Sequence, residues 1–169
     1  KSLIGAEDFD KLLKDGEKIK FGDLEIEIIS TPGHTPCCVC YKIGDVVFVG
    51  DVLFATDVGT ARCDFPGGSA EESYESIQRI FDLGGDVKIY SGHDYPGNKR
   101  KVQFLTSIAE QKKDNIMAGN NISKEDYVIK RSKKDDKLPL PKLIYPALQI
   151  NIFAGKVDGK KFVKIPINC

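Results

Sequence analysis

Between residues 19 and 49 apolar and polar positions alternate with a period of two, in two successive blocks. Ile19 and Phe21 precede Gly22-Asp23, and Leu24, Ile26 and Ile28 follow it, interleaved with Glu25 and Glu27. A period of two sends alternate side chains to opposite faces, and a Gly-Asp pair tolerates the positive φ of a tight turn, so this block predicts a β-hairpin. Residues 39–43, Gly44-Asp45 and 46–49 repeat the plan. The run 46–49 is apolar without alternation, which predicts a strand in the middle of a sheet covered on both faces.

The period then changes. Tyr74, Ile77, Ile80 and Phe81 recur at helical spacing, Ser69 and Glu72 form a capping-box pair, and Gly84-Gly85 supply a stop. Together they predict a helix over 69–83. Residues 87–90 predict another buried strand, and 102–111 and 124–131 two more helices. Near the start, Phe9, Leu12 and Leu13 before Gly16 predict a short helix. Pro139, Pro141 and Pro146 mark a connector, followed by an apolar stretch at 148–153 and a last turn at Asp158-Gly159 before 162–165. With no internal repeat, residues 1–169 read as a single domain of α/β class built from layers of sheet and helix.

Composition narrows the function. Of 169 residues, 41% are hydrophobic and 30% charged, and the formal net charge is zero. That balance suits a folded globular protein and offers no basic excess with which to neutralise a nucleic-acid backbone. Lys112, Lys113, Arg131, Lys133 and Lys134 are interleaved with Asp114, Glu125, Asp126, Asp135 and Asp136, the pattern of a solvated helical face. No run approaches the ~20 apolar residues of a membrane span, so no membrane partner is expected. Five cysteines in an unpaired arrangement argue for a reducing compartment, with the cytoplasm as the expectation. Cys37, Cys38 and Cys40 read as buried and inert, and Cys63, in a glycine-rich loop, as the better candidate for a reactive thiol.

The chemistry sits at three strand ends. The chain has two histidines; His34 follows the strand ending near Ile29, and His93 follows the strand 87–90. Asp51 follows the strand 46–49, and each of the three is preceded by glycine: Gly33-His34, Gly50-Asp51 and Gly92-His93. A lone strand-end histidine is more often a hydrogen-bonded surface residue than a ligand, and an aspartate there a turn former. Repetition at three strand ends changes that weighing, because glycine lets the chain turn sharply and aim the next side chain over the sheet rim. Two imidazoles and a carboxylate suit zinc, or iron(II) with open positions.

Thr-Pro-Gly-His-Thr-Pro at 31–36, Val-Gly-Asp-Val-Leu-Phe at 49–54 and Gly-His-Asp-Tyr at 92–95 resemble the later metal motifs of the metallo-β-lactamase superfamily. They are similar to the branch of hydroxyacylglutathione hydrolases (glyoxalase II) and persulfide dioxygenases. The loop 57–68 and the tail from Leu138 through Asn151 resemble bacterial persulfide-dioxygenase-like proteins, among them those called β-lactamase-hydrolase-like. The resemblance implies the C-terminal portion of an αββα sandwich. The superfamily's first motif, H-x-H-x-D-H, has no counterpart here, and the chain opens on Lys1, so a preceding half of the fold or a second chain is expected to complete it. By itself the chain is expected to be inactive, to expose one apolar sheet face, and to be covered there by a further layer or another copy, as in a homo-oligomer.

The resemblance also implies roles. In dinuclear relatives the match to Asp51 bridges two metals, with His34 in the first site and His93 in the second. In persulfide dioxygenases one iron is held by the matches to His34 and Asp51 and by a histidine of the preceding half, with His93 nearby. Arg62, Asp94 and Tyr95 match a network that surrounds the metal, where Arg62 either meets a substrate carboxylate or, with Asp64, pins its loop. No catalytic group beyond the metal ligands is expected. The implied reaction is Fe(II)-dependent oxygenation of glutathione persulfide to sulfite and glutathione. The alternative is a hydrolase of glutathione thioesters with one or two Zn(II), and a third reading is a non-catalytic remnant serving in binding or assembly.

Overall fold

The computed structural model describes residues 9–98 and 100–152. The turn expected at Asp158-Gly159 and the segment 162–165 lie outside the described residues. The chain divides into two compact units, one of residues 14–137 and one of residues 1–13 with 138–169. In the second unit the described residues include one helix, α4 (Ile144–Ile152), which begins after Pro141. The short helix expected at Phe9–Leu13 is absent: residues 9–10 bend and 11–13 have no regular structure. Three apolar residues in one turn cannot outweigh the cost of nucleating a helix that short.

The larger unit is one six-stranded sheet with helices. Its strands are β1 (Lys18–Phe21), β2 (Leu24–Ser30), β3 (Val39–Ile43), β4 (Val46–Gly50), β5 (Lys88–Ser91) and β6 (Leu105–Ser107), adjacent in chain order. Both expected hairpins form, pairing Phe21 with Leu24 and Ile43 with Val46. Only β4 and β5 pair in parallel. A parallel pair needs a crossover, and α1 (Ala70–Phe81) provides it. The Ser69 hydroxyl accepts the Glu72 N–H at 3.2 Å, a cap of the expected kind worth about 1 kcal/mol, although it donates to Glu71 rather than Glu72.

Alternation along the strands sorts the two faces. Ile29, Cys40, Val47, Val49 and Ile89 pack with Ile77, Ile80 and Phe81 of α1, with Ile108 of α2 (Ile108–Asp114) and with Tyr127 of α3 (Lys124–Asp135). On the opposite face, Tyr41, Phe48, Tyr90 and Leu105 lie opposite one another across four strands. Phe48 stacks on Tyr90 at 5.4 Å between ring centroids, and Tyr90 on Phe104 at 6.2 Å. The strand 46–49 is therefore central but covered on one side, and Phe48 is 43% exposed.

Two further expectations are corrected. Residues 102–111 are not one helix: β6 occupies 105–107, and α2 starts at Ile108 behind a complete capping box of Ser107 and Glu110. Arg131 does not belong to a solvated face; it is 1% exposed and paired with Asp135, 6% exposed. Among the described residues no helix is long and apolar enough to cross a membrane.

Candidate metal centre

Because β3 runs antiparallel to both β2 and β4, and β5 runs parallel to β4, the strands β2, β4 and β5 all point the same way. Their C-terminal ends reach one edge of the sheet, where the chain turns into the loops that carry His34, Asp51 and His93. The preceding glycines do different work. Gly33 has φ +142°, and a Cβ there would lie 2.4 Å from the Ser73 Cα in α1. Gly50 has φ +51° and open space around it, whereas a Cβ on Gly92 would meet the Gly50 backbone at 3.2 Å. Two of the three are needed for their conformation and the third for close approach between neighbouring loops.

The three expected side chains converge. His34 Nε2 lies 3.6 Å from Asp51 Oδ2, and His93 Nε2 lies 3.5 Å from Asp51 Oδ1. These gaps are long for hydrogen bonds but near the ~3.4 Å between two donors that share one tetrahedral ion at ~2.0–2.2 Å from each. Asp51 Oδ1 is buried with no hydrogen-bond partner. A buried carboxylate oxygen without a donor costs free energy that a bound cation would recover. The donor set and this orphaned oxygen therefore fit a divalent metal. Among the described residues no three His, Cys, Asp or Glu side chains close on a single point. The two imidazoles face different oxygens of Asp51, so the arrangement offers two half-sites rather than one triad.

The surroundings fix His34 most tightly. Its Nδ1 lies 2.6 Å from the Arg62 carbonyl oxygen. A carbonyl only accepts, so Nδ1 carries a proton, and Nε2 is the ring nitrogen turned towards Asp51. Phe65 meets the same ring edge-on at 5.1 Å. The Arg62 guanidinium donates twice to Asp64, at 2.6 Å each, and lies over Phe65 at 5.0 Å. The Arg62 side chain thus pairs with Asp64 two residues on, and it is the Arg62 backbone carbonyl that touches the candidate ligand.

Asp94 accepts from both terminal nitrogens of Arg100 at 2.6 and 2.7 Å, from the Gln103 N–H at 2.7 Å and from the Tyr95 N–H at 2.9 Å. The guanidinium holds its carboxyl down at about 2. Arg100 also grips Asp57 at 2.7 and 2.8 Å, tying the loop after β4 to the loop after β5. Arg100 is not among the residues that the sequence motifs point to. The Tyr95 ring meets Phe54 edge-on at 5.4 Å and lies 6.1 Å from the His93 ring. Partial burial, with the Asp51 charge adding, raises its phenol.

The cysteines divide differently from expectation. Cys40 is buried, and burial pushes its thiol up to about 11; Cys37, by contrast, is exposed. Cys63, expected to be the reactive one, is buried against α3, and its thiol is likewise pushed up to about 11. A thiol so far from ionisation is a poor nucleophile.

A sheet edge that gathers two imidazoles around a carboxylate is a donor set of the kind a divalent metal takes, on an α/β fold. The sequence model of the metallo-beta-lactamase superfamily matches residues 2–93, and the chain belongs to that superfamily. It is 46% identical over 166 residues to a Dictyostelium discoideum protein named Glyoxylase B2, covering 95% of this chain and 57% of that one. It is 35% identical over 156 residues to the human mitochondrial persulfide dioxygenase ETHE1, covering 90% of this chain and 57% of the relative. The crystal structure of ETHE1 from Myxococcus xanthus superposes with a TM-score of 0.75 at 35% identity, over 85% of this chain and 60% of that chain. The chain thus spans a little over half the length of these relatives, and its mixed α/β architecture is that of the superfamily.

Proposed function

We propose that the protein containing this chain is a metal-dependent persulfide dioxygenase, in which glutathione persulfide, O₂ and water give glutathione and sulfite. The observation that carries the reading is Asp51, which turns one carboxylate oxygen to each imidazole and leaves the buried one without a donor. His34 and Asp51 would hold Fe(II) together with a ligand from outside this chain, and His93 would stand beside it. Bound there, Fe(II) would supply the redox chemistry for oxygenation of the terminal sulfur. This chain's own part is orientation: the Arg62 carbonyl keeps the proton on His34 Nδ1, and Arg100 keeps Asp94 ionised and the two loops together. The likeness to persulfide dioxygenases by sequence and structure supports the choice of substrate.

A second reading draws on the same Asp51 geometry together with a different likeness. The relative named Glyoxylase B2 is the more similar in sequence, and the two half-sites on Asp51 suit a bridging carboxylate between two Zn(II) ions. The protein would then hydrolyse glutathione thioesters, a metal-bound water being easier to ionise than free water. Either reading includes a further layer over the open aromatic face, from a longer chain or a second one.

Metal content and O₂ uptake with glutathione persulfide distinguish the two. About one iron per chain, O₂ consumption and sulfite formation support the dioxygenase. Two zincs, no O₂ uptake and cleavage of an acylglutathione move the protein to the hydrolases. A metal-free protein inert in both assays sinks both.

A further inference from the structure

Helix α3 lies outside the metal motifs, yet its buried polar groups reach back to the loop that holds His34. Arg131 Nη1 donates to the Thr60 carbonyl at 2.8 Å, while Nε and Nη2 grip Asp135 at 2.5 to 3.1 Å. Asp135 Oδ2 in turn accepts the Cys63 N–H at 3.0 Å. The ion pair therefore takes hold of the backbone at Thr60 and at Cys63, the two sides of Arg62. Between those two grips sits the Arg62 carbonyl that accepts from His34 Nδ1 at 2.6 Å. A third tie comes from Tyr127, whose hydroxyl lies 3.1 Å from Thr60 Oγ1 and 2.9 Å from Ser73 Oγ. Ser73 is the residue against which Gly33 packs, one position before His34.

Such a pair is hard to explain as a source of stability. Removing two charges from water costs more than most buried pairs recover, and an apolar pair of similar volume is often as stable or more so. A buried pair that spends its remaining hydrogen bonds on two backbone groups of one short loop serves to fix that loop in one place. We infer that Arg131 and Asp135 are positioning residues for the metal centre: they lock residues 60–63 so that the Arg62 carbonyl sets the tautomer and ring orientation of His34. The chain of contacts is Asp135 and Arg131 to loop backbone, loop carbonyl to Nδ1–H, and Nε2 to the metal. The last link rests on the metal-dependent reading above, and the earlier ones do not.

The test separates those links. In the metal-free full-length protein, ¹⁵N spectra in which the His34 signals are assigned by their loss in His34→Gln report its tautomer directly. The parent is expected to show His34 as a single Nδ1–H tautomer with a slowly exchanging proton. Two variants are compared, each first shown to be folded by its thermal melt. Arg131→Met with Asp135→Leu replaces the pair by apolar groups, and Arg131→Lys keeps a charge against Asp135 but loses the separate Nη1 donor to the Thr60 carbonyl. In the double variant the Nδ1–H should exchange at least about tenfold faster and the second tautomer should appear; Arg131→Lys should lie between it and the parent. Should the double variant not fold, Arg131→Lys is judged alone. Co(II) titration, followed by its visible absorption, should show affinity falling about 10- to 100-fold, the usual effect of losing an outer-shell partner. A folded variant that keeps the parent's tautomer and proton exchange overturns the inference. A parent with a fixed tautomer that binds no Co(II) instead refutes the metal-dependent reading and leaves the positioning of His34 standing.

Discussion

Replacing Gly33 with alanine tests the idea that close packing on α1 places His34. The added methyl carbon would lie 2.4 Å from Ser73 Cα and 2.6 Å from both its N and Cβ. Carbon atoms rest at about 3.5–4.0 Å, so either the helix or the loop must retreat by about 1 Å. Helix α1 cannot retreat freely, since Ile77, Ile80 and Phe81 are locked in the core. Overpacking of that kind costs about 1–3 kcal/mol. The φ of +142° adds strain of about 1–3 kcal/mol for a residue with a side chain. Gly50→Ala is the control: its φ of +51° carries the strain, about 1–2 kcal/mol, but nothing lies within 4 Å of the new methyl. Gly33→Ala should therefore be the less stable variant by about 1–3 kcal/mol, a large part of the 5–15 kcal/mol that holds a typical domain. Urea unfolding in a chelator removes any contribution from metal. With a slope of about 2 kcal/mol/M, the two midpoints should differ by about 0.5–1.5 M. Equal midpoints would refute the claim that contact with Ser73, rather than conformation alone, demands glycine at 33.

Asp51→Asn should weaken Co(II) binding at least about tenfold while leaving the metal-free melting temperature unchanged or higher, because the orphaned carboxylate oxygen no longer carries charge; a metal-free variant that melts well below the parent contradicts this. Asp94 has its carboxyl held down at about 2 by Arg100, so its stabilising effect is fully present above about pH 4 and is lost as pH falls through 2. Arg100→Met should flatten that acid limb, and melting curves between pH 5 and pH 2 that fall in parallel for both proteins would count against it. Among the described cysteines, Cys37 should react first with iodoacetamide at pH 8, with Cys40 and Cys63 labelled only after unfolding. Peptide mapping after brief exposure reads the order, and early labelling of Cys63 would show that its burial is wrong.

Much of the candidate site was legible because local signals and topology agree. The hairpins at Gly22-Asp23 and Gly44-Asp45 announce themselves by period and turn chemistry, and they fix the directions of β2 and β4. Once α1 is recognised as a crossover, β5 must run with β4, and His34, Asp51 and His93 fall on one edge. The misreadings have physical causes. Val102 and Leu105, three apart, mimic a helical face, whereas the decisive signal was the Ser107/Glu110 capping box two residues further on. Arg131 and Asp135 were hidden among lysines and acids; the clue was arithmetic, since 127, 131 and 135 share one helix face and Tyr127 lies in the core. Arg100 had no such clue, because its partners Asp57 and Asp94 come together only through the pairing of β4 with β5. The apolar run 46–49 predicts cover on both sides, but within residues 14–137 the described helices pack against one face, and Phe48 on the other is 43% exposed.

The chain carries six tyrosines and no tryptophan, so its ultraviolet emission comes from phenol rings alone. Five of those rings are distributed by layer: Tyr74 and Tyr127 meet at 5.6 Å between α1 and α3, Tyr95 stands beside His93, and Tyr41 and Tyr90 lie on the open side of the sheet. Tyr90, stacked between Phe48 and Phe104, is the centre of that exposed row. Fold, metal centre and outer face thus each have a native optical reporter, and single Tyr→Phe exchanges would resolve events at one layer from those at another without attaching a dye.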